Sequence, residues 1–250
     1  MNHSLPQNPV AMISGGLGDI GWATALELTK AGCRVSIGDM EPSADLDEGM
    51  HYQQVDVSDE VSVRQWFASA EKHFGEPASV IVANAGIVLL GSAMSASLSD
   101  WQRTLDVNLT GAWLTARTGA QRLLDANLPG RIVFVGSWAA HAPHVKMAAY
   151  SAAKAGLRML TQTMALELAD KGILVNEIAP GFVDAGLSGE IFKEQPGLAS
   201  SARKMVPNKQ LIDVEEVAAS IAYLCSPTHR NMTGSTLLLD GGLSTRRRMD

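Results

Sequence analysis

Cysteine is nearly absent from this 250-residue chain: Cys33 and Cys225 stand far apart, each inside an apolar segment, so neither a disulfide framework nor a thiolate metal site can be read. Charge is sparse too, with 18% charged residues against about 25% in an average globular domain. The 26 acidic side chains outnumber the 20 basic ones, which excludes a basic nucleic-acid binder. No apolar run reaches the roughly 18 residues needed to cross a bilayer. The opening MNHSLPQNPV lacks the basic and apolar regions of a signal peptide, so the chain reads as cytoplasmic with no membrane partner. Aromatic residues make up only 5%, so a core drawn from the 46% hydrophobic residues is built of Ala, Val, Ile and Leu. The close pair His141 and His144 has no acidic or thiol neighbour, and no metal site is expected.

What is present is an alternation of short β-branched runs with longer helical patterns, without repeats or linkers. Strands are expected at 10–14, 34–38, 52–55, 79–83, 131–136, 174–178 and 236–239, and helices at about 20–31, 60–74, 101–126, 149–171 and 213–225. Strand, helix, strand in this order predicts an α/β fold, a doubly wound, seven-stranded parallel sheet with helices on both faces, in a single domain over 1–250. The crossover EPSADLDEG after Asp39 is too short and turn-rich for a full helix. The Gly- and Pro-interrupted stretch at about 182–210 reads as a substrate lid.

Chemistry-bearing residues lie at the strand ends. The turn ISGGLGDIG (Gly15, Gly16, Leu17, Gly18, Asp19, Ile20, Gly21) joins a strand to a helix, where glycines let the backbone approach a pyrophosphate and the helix start favours its charge. Asp39 follows Gly15 by 24 residues, at the end of the second strand. A carboxylate there accepts the adenosine ribose hydroxyls and repels a 2′-phosphate, and neighbouring Leu17, Gly18, Gly38 and Met40 supply no cation; NAD is therefore favoured over NADP. Tyr150 and Lys154 in YSAAK share one helix face, an arrangement in which the ammonium stabilises the phenolate. Ser137, 13 residues before Tyr150, places a hydroxyl at a strand's carboxyl end.

These motifs, in this order, resemble the short-chain dehydrogenase/reductase family over nearly the whole chain. VDVSD with Asp56 and Val57, ANAG with Asn84, Ala85 and Gly86, DVNLTG with Asn108, GSWAA, YSAAK, IAPGFVDA with Pro180, Gly181 and Val183, and LLLDGG each match a family motif. The resemblance implies a catalytic set of Asn108, Ser137, Tyr150 and Lys154. Tyr150 exchanges the proton at the substrate oxygen and Ser137 holds that oxygen. Lys154 lowers the tyrosine pKa and binds the nicotinamide ribose, and Asn108 anchors a water next to the lysine. Cofactor contacts fall on Gly15, Leu17, Gly18, Asp19, Ile20, Asp39, Met40, Asp56, Val57, Asn84, Ala85, Gly86, Tyr150, Lys154, Pro180, Gly181 and Val183. Substrate contacts fall on Ser137, Trp138, His144, Tyr150 and Phe182, with residues 88–90, 141–147 and the lid nearby. The expected substrate is a secondary alcohol or its ketone, with a sugar or polyol as the alternative. Family members are commonly tetramers, so a homotetramer is expected. Two positions depart from the pattern: Asp19 stands where a glycine is usual, and Ala185 where a threonine is common. They motivate the reading of a catalytically silent dinucleotide sensor, which the intact Asn108, Ser137, Tyr150 and Lys154 oppose.

Overall fold

The computed structural model describes residues 5–186, 189 and 196–245. Seven parallel strands run β1 (Val10–Ser14), β2 (Arg34–Asp39), β3 (His51–Gln54), β4 (Val80–Ala83), β5 (Gly130–Val135), β6 (Ile173–Pro180) and β7 (Thr236–Leu239). Their order in the sheet is β3-β2-β1-β4-β5-β6-β7, so the winding reverses between β1 and β4. In open α/β sheets ligands bind at the carboxyl ends of the strands flanking such a reversal.

β1, β4, β5 and β6 are buried at every residue, which explains why their sequences are continuous apolar runs. Alternate side chains divide between two cores. Met12, Ile81, Ile132, Phe134 and Val175 pack into one with Val63, Trp66 and Phe67 of α2 (Glu60–Phe74) and with residues of α4 (Ala112–Asp125) and α5 (Ala148–Leu168). Ile13, Ile37, Val82, Val133 and Ile178 pack into the other with α1 (Asp19–Lys30) and α7 (Val214–Cys225). β3, HYQQ, is only partly buried, as suits an edge strand. Residues 40–50 contain no helix, in agreement with the composition of that crossover.

The single helix expected over 101–126 is in fact broken. Ser97 caps α3 (Leu98–Leu105), accepting from Asp100 N at 3.0 Å, so the helix starts earlier. A π-helical turn, Asp106–Gly111, then precedes α4. Its cause is Asn108, whose Nδ2 donates to Thr104 O at 2.9 Å and inserts a side chain into the helical ladder. Within the stretch expected to be a lid, α6 (Pro196–Met205) is a helix; residues 187, 188 and 190–195, including Phe192, lie outside the described residues. Among the described residues no helix is long and apolar enough to cross a membrane.

Candidate active site

The cofactor turn is shaped by glycine where backbone demands it. Gly15 has φ +64°, a conformation L side chains rarely adopt, and its N–H donates to Gly38 O at 2.8 Å. A Cβ on Gly21 would lie 2.1 Å from Gly15 O, so α1 approaches the turn as closely as only glycine permits. Asn84, just after β4, fastens the turn: its Nδ2 donates to Ser14 O at 3.0 Å and Gly15 O at 2.8 Å. Ser14 Oγ in return accepts from the backbone N–H groups of Asn84 and Ala85. This cradle of backbone at a helix start fits a pyrophosphate, and the residues present fit a nicotinamide dinucleotide.

Asp39 is fixed at the tip of β2, where Oδ2 accepts from Leu17 N at 2.9 Å and Oδ1 from Met40 N at 2.7 Å. Burial works to raise the Asp56 carboxyl, but hydrogen bonds from Ser58 and the Arg103 guanidinium outweigh it and hold it below the usual value. Arg103 lines the same end of the cleft and was missed in the sequence. It is engaged by Ser58 Oγ at 3.3 Å and lies 3.9 Å from Asp56, so this guanidinium is already committed to local partners.

Asp19 turns away from the turn it opens. Its Oδ2 accepts from Gly186 N at 2.7 Å, tying the loop after β6 to the start of α1. Arg203 of α6 donates to Asp184 at 3.0 Å, a second tie at the same loop. Gly181 N reaches Leu239 O at 2.7 Å, and Val183 bridges Ile212, so Pro180, Gly181 and Val183 are held by β7 and by the segment before α7.

The reacting end lies where β5 stops. Ser137 caps a short 3₁₀ turn, Trp138–Ala140, accepting from Ala139 N at 3.1 Å, and its hydroxyl acts on Tyr150 to favour the phenolate. Lys154 is 4% exposed, and its Nζ donates to Val135 O at 2.8 Å while standing 5.5 Å from the Tyr150 ring centre. Burial pushes the phenol above its ordinary value, the Ser137 hydroxyl offsets this in part, and Lys154 is directed at Val135 O. Burial also lowers Lys154 itself to about 8.

One cleft of about 910 Å³ brings together the expected cofactor, catalytic and substrate contacts except Asn108, while Leu89, His141, Ala142 and Pro143, expected nearby, do not line it. Asn108 is fully buried behind the wall, and both its amide N–H groups are taken, by Ile87 O and Thr104 O, each at 2.9 Å. Its Oδ1 accepts from Ile87 N at 3.2 Å, so the side chain clamps the ANAG loop from both its donor and its acceptor side. A Cβ on Gly86 would meet Asn108 Oδ1 at 2.8 Å and Lys154 Nζ at 3.8 Å.

The substrate end is mostly apolar, with Lys146 the one charged residue among the 141–147 lining. Trp138 packs edge-on against His144, with centroids 4.1 Å apart, and against Phe182 at 5.2 Å. Val88, Leu90, Val145 and Met147 line it, as do Leu198, Ser201, Ala202 and Met205 of α6. The α6 residues recur at helical spacing, the one signal by which they were findable. His141 lies outside the cleft, with Nδ1 3.3 Å from Arg158 Nη1. Burial lowers the His144 imidazole below its usual value, favouring the neutral ring.

A family model described as enoyl-(acyl carrier protein) reductase matches residues 16–244. The chain is 38% identical over 191 residues to 3β-hydroxysteroid dehydrogenase 1 of Eggerthella lenta, covering 76% of this chain and 72% of that protein. A crystal structure of a short-chain type dehydrogenase/reductase from Mycobacterium marinum superposes with a TM-score of 0.89 at 27% identity, covering 98% of each chain. A variant of actinorhodin polyketide ketoreductase, crystallised with NADPH, superposes with a TM-score of 0.87 at 26% identity, covering 97% of this chain and all of that one.

Proposed function

Because the chain belongs to the short-chain dehydrogenase/reductase family and is an oxidoreductase of it, we propose that it transfers a hydride between NAD and an apolar secondary alcohol or its ketone. The observation that carries the chemistry is that Ser137, Tyr150 and a buried Lys154, whose Nζ is held by Val135 O, line one cleft with the Lys154 ammonium 5.5 Å from the Tyr150 ring centre. Ser137 holds the substrate oxygen, Tyr150 gives or takes its proton, and Lys154 supplies the positive charge that a phenolate needs in a site otherwise hostile to it. When bound, NAD supplies the hydride acceptor and a cationic ring. Gly15, Leu17, Gly18, Asp19, Ile20, Asp39, Met40, Asp56, Val57, Asn84, Ala85, Gly86, Pro180, Gly181 and Val183 surround it.

NAD rather than NADP is supported by Asp39, whose carboxylate is fixed by two backbone N–H groups and would oppose a 2′-phosphate. The polyketide ketoreductase neighbour carries NADPH, so the cofactor of this chain needs its own measurement. The apolar substrate class is supported by the lining of the reacting end: among the described residues it holds no Asp, Glu, Asn or Gln. A polyol needs several such partners, because each buried hydroxyl left unpaired costs affinity. The lining of this end by Leu198, Ser201, Ala202 and Met205 of α6 supports the reading of the stretch at about 182–210 as a substrate lid. Exposed Trp113, Met159 (61%) and Leu166 (85%) on α4 and α5 support assembly through those helices into a homotetramer.

The test is a panel of apolar and polyhydroxylated alcohols and ketones followed at the nicotinamide absorbance with both cofactors, together with Tyr150→Phe. The substitution is expected to lower kcat by about 10²- to 10⁴-fold while leaving NAD binding intact. Turnover unaffected by it would remove Tyr150 from the chemistry.

A further inference from the structure

β6 is buried along its whole length, yet its middle carries an acid, Glu177, at 0% exposure. Its Oε2 accepts from Thr236 Oγ1 on β7 at 2.7 Å, while Oε1 is buried and has no hydrogen-bond partner. A dry carboxylate oxygen is costly unless a nearby cation compensates it. The cations here are Lys154 and Arg158, one turn apart on α5, and both act on Glu177. Oε1 also packs against backbone, since a Cβ on Gly136 would lie 1.9 Å from it. Gly136 is flanked by Val135, whose carbonyl receives Lys154 Nζ, and by Ser137, which lines the cleft with Tyr150. The buried acid is therefore pressed against the short segment that positions the lysine and carries Ser137.

We propose that Glu177 is a positioning residue whose carboxylate, acting across the Gly136 backbone, keeps Lys154 an ammonium over the pH range in which Tyr150 exchanges its proton. The proposal rests on the roles given above to Tyr150 and Lys154. Burial drives Lys154 toward the neutral amine and the charge of Glu177 opposes that drift. Burial likewise pushes Glu177 above its ordinary value, and the Thr236 hydrogen bond, Lys154 and Arg158 offset only part of that rise. The groups facing the carboxylate are thus Lys154 and Arg158 from α5, Thr236 from β7 and the Gly136 backbone beyond β5. Behind Arg158 stands His141, held below its ordinary value by burial and by Arg158, with Asp240 opposing in part. The sign follows: with the negative charge removed, burial acts on Lys154 unopposed and the amine forms at lower pH.

The experiment is a side-chain NMR titration of the cofactor-free protein with ¹³C-labelled lysine, the Lys154 signal being identified by its loss in Lys154→Arg. Glu177→Gln is expected to lower the Lys154 midpoint by about one pH unit, and Glu177→Asp to restore most of that shift. The basic limb of the pH profile for ketone reduction is expected to move in the same direction as the NMR midpoint. A Lys154 midpoint in Glu177→Gln equal to that of the unaltered protein would overturn the proposal. Should Glu177→Gln fail to fold, Glu177→Met, which buries no unpaired polar atom of its own, gives the same readout with the same two outcomes. An unmoved Lys154 midpoint alongside an inactive Tyr150→Phe defeats only the role of Glu177. Full turnover in Tyr150→Phe defeats the catalytic reading instead.

Discussion

The two ends of the cleft are built by different physics. At the cofactor end, directional hydrogen bonds fix the backbone: Asn84 to Ser14 and Gly15, Asp39 to Leu17 and Met40, Gly15 to Gly38. At the substrate end the walls are held by ring packing among Trp138, His144 and Phe182 and by the apolar face of α6. Polar recognition needs particular residues at particular places. Apolar packing accepts many side chains of similar volume, so it constrains shape without naming the ligand. The difference explains why the cofactor can be argued from single residues, whereas only a class of substrate can.

The sharpest way to break this comparison is at Asp39. Asp39→Ser is expected to shift the ratio of kcat/KM for NAD over NADP toward NADP by about 10²-fold, because a like charge facing a phosphate costs several kcal/mol. Steady-state rates with both cofactors measure it, and an unaltered protein that already prefers NADP would sink the reading. Next in size is the substrate wall. Phe182→Ala is expected to lower kcat/KM for bulky apolar ketones about tenfold while sparing small ones. If NAD affinity, measured by fluorescence quenching, fell as much as kcat/KM, the two ends would not be separable. The smallest effect is expected at the seam. Asp19→Ala frees Gly186 N and removes a carboxylate beside the cofactor turn. It is expected to raise KM for the substrate about threefold while lowering the Kd for NAD, opposite signs on the two ends. Changes of the same sign would show that Asp19 serves only one of them.

Much of the fold was legible because a sheet covered on both faces demands continuous apolar strands, and all seven stand within a residue or two of where the periodicity puts them. The break in the helix over 101–126 was not legible. A π-turn depends on where the Asn108 amide finds a carbonyl, and propensity does not encode that. For the same reason the hold of the Asn108 amide on Ile87 and Thr104 could not be read from the sequence. Arg103 left no signal at all, being one cation on an exposed helix face until the fold set it beside Asp56. Glu177 did leave one, an acid inside an apolar strand run, which is worth asking about wherever a strand is buried on both sides.

Chain order and residue type alone settle the parallel sheet, the glycine turn, the carboxylate at the end of β2 and the Tyr/Lys pair, because each rests on a local period or spacing. Contacts across long separations are decided only when the chain folds. Asp19 meets Gly186, Asn108 meets Ile87 and Glu177 comes to rest against Gly136. Asp19 and Asn108 each take whichever backbone atom the packing of the sheet brings within reach, whereas Glu177 Oε1 is pressed against backbone without a hydrogen-bond partner.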